Sequence, residues 1–219
     1  MTKFGVVFVV LLVGAAAASL ARRSAANAAV GPAVTSNQRL TALTGALLYV
    51  LSIAIVLTVL DISGLLALHY LVGFLLIPPV ALKLGSTGYR FFRYYAGSPS
   101  FSSAAPPPLV LRFLVAPLLV ASTVVVFVTG LELWVFGLRY GESWMTAHTL
   151  GAVVMMLAVT AHVVPHLRRS VEAVALAAAP TRTAGSGSSL VLGSLLLGAA
   201  LAAASFLYTS PFPPGAAGG

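Results

Sequence analysis

Six apolar runs constrain this chain more than any other feature, because a helix of about 20 residues crosses about 30 Å of hydrocarbon. They are Phe4 to Leu20, Leu40 to Leu60, Leu65 to Leu84, Phe113 to Leu131, Trp144 to Leu167 and Leu190 to Tyr208. In lipid each backbone N–H and C=O must be satisfied within its own segment, so such runs form helices. Hydrophobic residues make up 59% of the chain and charged residues 7%, with a mean hydropathy of +1.03. No soluble domain of 219 residues needs so much apolar surface. The expected fold is all-α, a polytopic membrane protein with six transmembrane helices.

Charge sets the orientation. Arg22, Arg23, Arg39, Lys83, Arg90, Arg93, Arg112, Arg168, Arg169 and Arg182 fall on one side of the six spans. Only Lys3 and Arg139 fall on the other, together with Asp61, Glu132 and Glu142. By the positive-inside rule the first side faces the cytoplasm, so both termini are expected outside the cell membrane. The net charge of +8 is thus spent on topology and headgroup contacts, and no nucleic-acid partner is expected. The first span resembles a secretory signal, but Arg22 and Arg23 follow it closely and favour a retained helix.

The spans divide into three stretches. Residues 1–37 give the first helix and a linker from Arg22 to Asn37; residues 38–169 give a four-helix core; residues 170–219 give a flexible linker, the last helix and a disordered tail after Ser210. Asp61 to Gly64 is a very short turn, which makes the second and third spans antiparallel neighbours. Gly85 to Pro108, opening with GSTGYRFFRYYAGSPSF, reads as a cytoplasmic loop, and the Ile77 to Pro79 stretch as a kink. No phosphate-binding loop, dinucleotide fingerprint or Ser-His-Asp order is present. Glu132 and Glu142 read as charges that solvate an outer loop, which leaves hydrolase chemistry little to work with.

Redox or metal chemistry has histidine to work with. The chain has no cysteine, which excludes disulfides, iron–sulfur clusters and thiolate metal sites within it. Ionisable groups at membrane depth are costly and tend to mark function. His148, His162 and His166 lie on one stripe of the fifth span, since fourteen and eighteen steps of about 100° return close to the starting direction. His148 and His162 are about 21 Å apart along the axis, too far to share one metal ion. His69, near the outer end of the third span, lies at the depth of His148, because both spans run outside to inside. Two imidazoles at one depth on neighbouring helices are what a bis-histidine haem requires.

Several neighbours have more than one reading. Gly73 and Gly151 would let a porphyrin approach the backbone, or simply pack helices. Arg139, Trp134 and Trp144 lie where haem propionates would point, or form an interfacial girdle. Met155 shares the histidine face, and with Met156 it also reads as core filler. His166, between Pro165 and Arg168, favours a contact at the interface.

At this point the chain resembles a known family. Two histidines fourteen residues apart on the last helix of a four-helix core, with one on the second, resemble the cytochrome b membrane subunits of respiratory formate dehydrogenases and nickel-iron hydrogenases. The stretch LHYLVGFLLIPPVALKLGSTGYRFFRYYAG is similar to small actinobacterial membrane cytochrome b proteins. The resemblance covers roughly Gln38 to Arg169. It implies electron transfer, an outer haem b on His69 and His148, an inner one on His162, and partners such as a membrane or extracytoplasmic oxidoreductase and quinone. The family's inner haem takes its other ligand from the start of the first core helix, and the matching segment here, NQRLTALTGALL, has no histidine. One haem is therefore expected. The alternatives are a transporter or structural membrane protein whose histidines make packing contacts, and divalent metal binding at His162 and His166.

Overall fold

Asp61 turns the chain between two long helices. It alone separates α1 (Pro32–Leu60) from α2 (Ile62–Tyr95). Its side chain accepts the Gly64 N–H at 3.2 Å, and its carbonyl accepts the Leu65 N–H at 2.9 Å. These bonds satisfy donors that the first turn of a helix leaves open. The computed structural model describes residues 6, 7, 10, 14, 32–102, 109–163 and 186–212. Beyond the first hairpin come a π-helical turn at Leu111–Val115, α3 (Ala116–Phe136), α4 (Ser143–Val163) and α5 (Ser186–Ser205).

Among the described residues five helices are long and apolar enough to cross a membrane, and no strand occurs. The protein is a multi-pass helical membrane protein. Its surface agrees: Val124, Val128 and Leu131 of α3 stand exposed, as lipid-facing side chains do and those of a soluble helix do not. The first expected span, Phe4 to Leu20, lies outside the described residues apart from Val6, Val7, Val10 and Gly14, which are helical.

The helices pack as two groups. In one, α2 lies against both α1 and α5; in the other, α3 lies against α4. Leu51, Val72 and Leu76 are buried between α1 and α2, and Phe127 of α3 reaches into the same cluster. Val56 of α1 is covered by Met156 and Val159 of α4. Phe74 of α2 meets Trp134 of α3 edge to face at 4.9 Å. The last span, expected after a flexible linker, packs along α2 as closely as α1 does. Gly198 sits directly against the Leu75 backbone, and Ala202 is buried.

Several boundaries differ from the sequence reading, each for a physical reason. The expected loop from Gly85 begins as helix: α2 continues to Tyr95, about 51 Å in all. Glycines within a helix cost about 1 kcal/mol each, yet Ser86 is buried and ties this stretch to α1. Its hydroxyl accepts from Thr41 at 3.2 Å, and its carbonyl accepts from Asn37 at 3.3 Å. The helix ends at Tyr95, capped by Ala96, and the chain turns away at Gly97, whose φ of 71° suits glycine. Hydropathy marks where lipid ends, and a helix need not end there. For the same reason α1 begins at Pro32, inside the expected linker, and α5 at Ser186.

Across Pro78 and Pro79 the backbone stays helical, and the one irregular residue of α2 is Leu65. Glu132 falls inside α3 rather than in a loop; both its carboxylate oxygens are buried without a hydrogen bond. The start of the tail is docked rather than loose. Tyr208 Oη donates to the Val135 carbonyl at 2.6 Å, and Ser210 Oγ to the Trp134 carbonyl at 2.7 Å. Phe212 is buried against Leu133 and Trp144. Gly137 allows this twice over, since its φ is 64° and a Cβ there would come within 3.0 Å of the Pro211 carbonyl oxygen.

Candidate functional site

Near the Asp61 end, two threonines fix two histidines. Thr58, on the last turn of α1, donates its hydroxyl proton to the Ile55 carbonyl at 2.6 Å. The same oxygen lies 2.8 Å from His69 Nδ1. A hydroxyl has one proton, so with that proton on Ile55 the Thr58 oxygen accepts from His69. Nδ1 therefore carries the hydrogen and Nε2 keeps its lone pair.

The second ring is held in the same way. Thr129 donates to the Val125 carbonyl at 2.6 Å, and its oxygen lies 3.1 Å from His148 Nδ1. The Val126 carbonyl lies 3.1 Å from the same nitrogen and can only accept, which fixes the tautomer independently. Neither histidine makes another hydrogen bond among the described residues. Both are set as neutral imidazoles with Nε2 bare, the form that ligates metal.

Their spacing narrows what lies between them. The ring centres are 6.3 Å apart and the planes cross at 78°. A metal bound about 2 Å from each coordinating nitrogen, with each ring centre about 1.1 Å further back, separates the centres by roughly 6.3 Å. The same distance and angle also fall in the range of an edge-to-face ring pair. Among the described residues no three His, Cys, Asp or Glu side chains gather as a protein-only metal cage would need. Two imidazole donors are the set that a haem, whose macrocycle supplies the other ligands, takes from a protein.

The remaining sequence candidates fall in different places. Gly130, which the sequence reading did not select, lies behind His148: a Cβ there would come within 3.0 Å of Cε1. A Cβ at Gly151 would meet Val125 and Val126 of α3, while one at Gly73 would meet no described atom within 4 Å. Met156 fills the α1–α4 contact. Trp134 stacks between Phe74 and Tyr208, and Trp144 supports the docked tail. The Arg139 guanidinium lies 5.7 Å from the Tyr140 ring, and no contact joins it to the histidine pair. His162 sits near the other end of α4, and His166 lies outside the described residues.

Thr58 and Thr129 gave little sequence signal, because a membrane threonine commonly bonds its own helix at i−3 or i−4. Both do so here, and the bond to histidine is a second use of the same oxygen. No family model matches the chain, and no curated protein or solved structure does either. The site is therefore read from its own geometry.

Proposed function

We propose that the protein is a membrane b-type cytochrome that carries electrons through one haem held between His69 and His148. The observation that carries this reading is the 6.3 Å separation of the two rings, with both Nε2 atoms bare. His69 and His148 would hold the haem, which would supply one-electron ferric/ferrous chemistry when bound. The chain's own residues do the rest. Thr58, Thr129 and the Val126 carbonyl hold the ring tautomers and orientations, and the apolar helices exclude water and help set the potential.

The charge distribution supports an extracytoplasmic position for the Asp61 end and for this haem. A redox partner would then dock at that end or reach it through the bilayer as a quinone. No histidine in α1 supports a second haem at His162. The protein would serve as an electron-transfer subunit or anchor of an oxidoreductase rather than as an enzyme alone.

A reduced-minus-oxidised spectrum of the purified protein, with pyridine-haemochrome stoichiometry, tests this reading. A sharp b-type α band at about one haem per chain is the expected result. Absence of haem after expression with ample haem supply would return the histidines to interhelical hydrogen bonding.

The threonines give a finer test. Thr58→Val and Thr129→Val each remove an acceptor from a ligand's Nδ1–H and should weaken haem retention roughly 10- to 100-fold. Thr129→Val should act more weakly, because the Val126 carbonyl remains. A less basic imidazole stabilises ferric iron less, so the midpoint potential should rise in Thr58→Val. An unchanged potential in redox titration would show that the threonine is only a packing group.

A further inference from the structure

An apolar layer lies directly outward of the histidine pair, and the tail after α5 supplies part of it. Leu133 of α3 and Phe212 are each 5% exposed, and Ile62 and Leu66 of α2 pack against them together with Trp144 and Met145 of α4. Leu66 precedes His69 by three residues, Met145 precedes His148 by three, and Leu133 follows Thr129 by four. Residues three or four apart share a helix face. On three helices, therefore, one stripe carries first this layer and then, about 5 Å deeper, His69, Thr129 and His148. The layer stands between the two rings and the Asp61 end.

The tail docks there for a chemical reason. α3 ends at Phe136, and the last carbonyls of a helix have no partner within it. Those of Leu133 and Phe136 accept from the Gly137 and Arg139 N–H groups, and those of Val135 and Trp134 accept from Tyr208 and Ser210. Ser210 Oγ also accepts the Phe212 N–H at 3.2 Å, a local turn of the kind serine favours. A side chain that only anchored the tail at the interface would stand at the rim. Phe206 and Leu207 do so, 65% and 91% exposed, whereas Phe212 is buried.

We propose that Phe212 is a plug that closes the outer mouth of the histidine site to water, with Tyr208 and Ser210 as its fastenings. In a bilayer the flanks of the helices meet hydrocarbon, so the end one turn above the rings is the short way in for water. The plug fills that end with a phenyl ring held by main-chain carbonyls of α3. Its effect on redox chemistry rests on the haem reading, because exposure to water helps set the potential of such a centre. The closure itself concerns the two histidines with or without haem.

The test uses the full chain in lipid nanodiscs. The chain has no cysteine, so Leu66→Cys places a single thiol in the layer, read by its rate of reaction with a charged, water-soluble maleimide. Labelling should be slow while Phe212 is present and roughly tenfold faster when Phe212→Ala is added. Phe212→Leu should keep most of the protection, and Leu196→Ala, on an exposed part of α5, should leave it unchanged. In haem-loaded protein without the reporter thiol, Phe212→Ala should also lower the midpoint potential, because water stabilises the more charged ferric state. Labelling unchanged by Phe212→Ala would overturn the plug whatever the haem content. Faster labelling with an unchanged potential would make Phe212 a surface packing group and overturn its role at the site. Faster labelling with no haem in any variant would uphold the plug and overturn the haem reading, so the two failures are distinguishable. If Phe212→Ala fails to fold, Ser210→Ala still decides, since it removes a fastening and no apolar group, and unchanged protection there contradicts the assignment.

Discussion

His69→Ala and His148→Ala should each lower the haem content of the purified protein by at least about tenfold, while His162→Ala leaves it near the wild-type value. The asymmetry follows from the geometry. His69 and His148 stand 6.3 Å apart, and in the proposed centre each would supply one of the two bonds that the macrocycle cannot. His162 lies about 21 Å further along α4, beyond reach of that centre. Pyridine-haemochrome assays on each variant, with far-UV circular dichroism to show that the helices persist, make the measurement. Because an alanine variant could lose haem by misfolding, His148→Gly with added imidazole provides the control. A free ring in the vacated space should restore the α band if His148 is an axial ligand. Equal haem loss from His162→Ala and His148→Ala would contradict a single centre and point to a second haem ligated by His162.

How much of this was legible in the sequence depends on what each residue does. The second to sixth spans were legible because lipid requires long apolar runs, and each coincides with a helix over most of its expected length. The reach of α2 to Tyr95 was not, because Ser86 is held by Asn37 and Thr41, more than forty residues away. His69 and His148 were legible as rare polar groups at matched depth. Thr58, Thr129 and Gly130 were not, since hydroxyls and glycines are ordinary in membrane helices and only the third dimension sets them against the rings. Glu132 was misplaced because its charge suggested a loop, whereas α3 continues past it to Phe136. The docking of α5 did leave a signal. Ser194, Gly198 and Ala202 recur every four residues, the small-residue spacing that lets two membrane helices approach closely.

That spacing leads to the strongest expected effect on stability. Gly198→Val should lower the unfolding midpoint in detergent substantially, because even a Cβ at this position would run into the Leu75 carbonyl oxygen. A backbone atom cannot rotate aside as a side chain does, so α5 would have to move off α2 as a unit. Overpacking of this kind costs roughly 1 to 3 kcal/mol, and more where backbone must shift. Gly193 is the internal control: it lies on the same helix, with no atom within 4 Å of its added Cβ, and Gly193→Val should change the midpoint little. The histidine pair belongs to α2 and α4, with its supports on α1 and α3. The α-band position of folded Gly198→Val should therefore match the wild type while its thermal midpoint falls. Similar stability of the Gly193 and Gly198 variants would mean that α5 is only tethered, as the sequence alone suggested. A shifted α band in Gly198→Val would instead mean that the α2–α5 contact sets the position of His69.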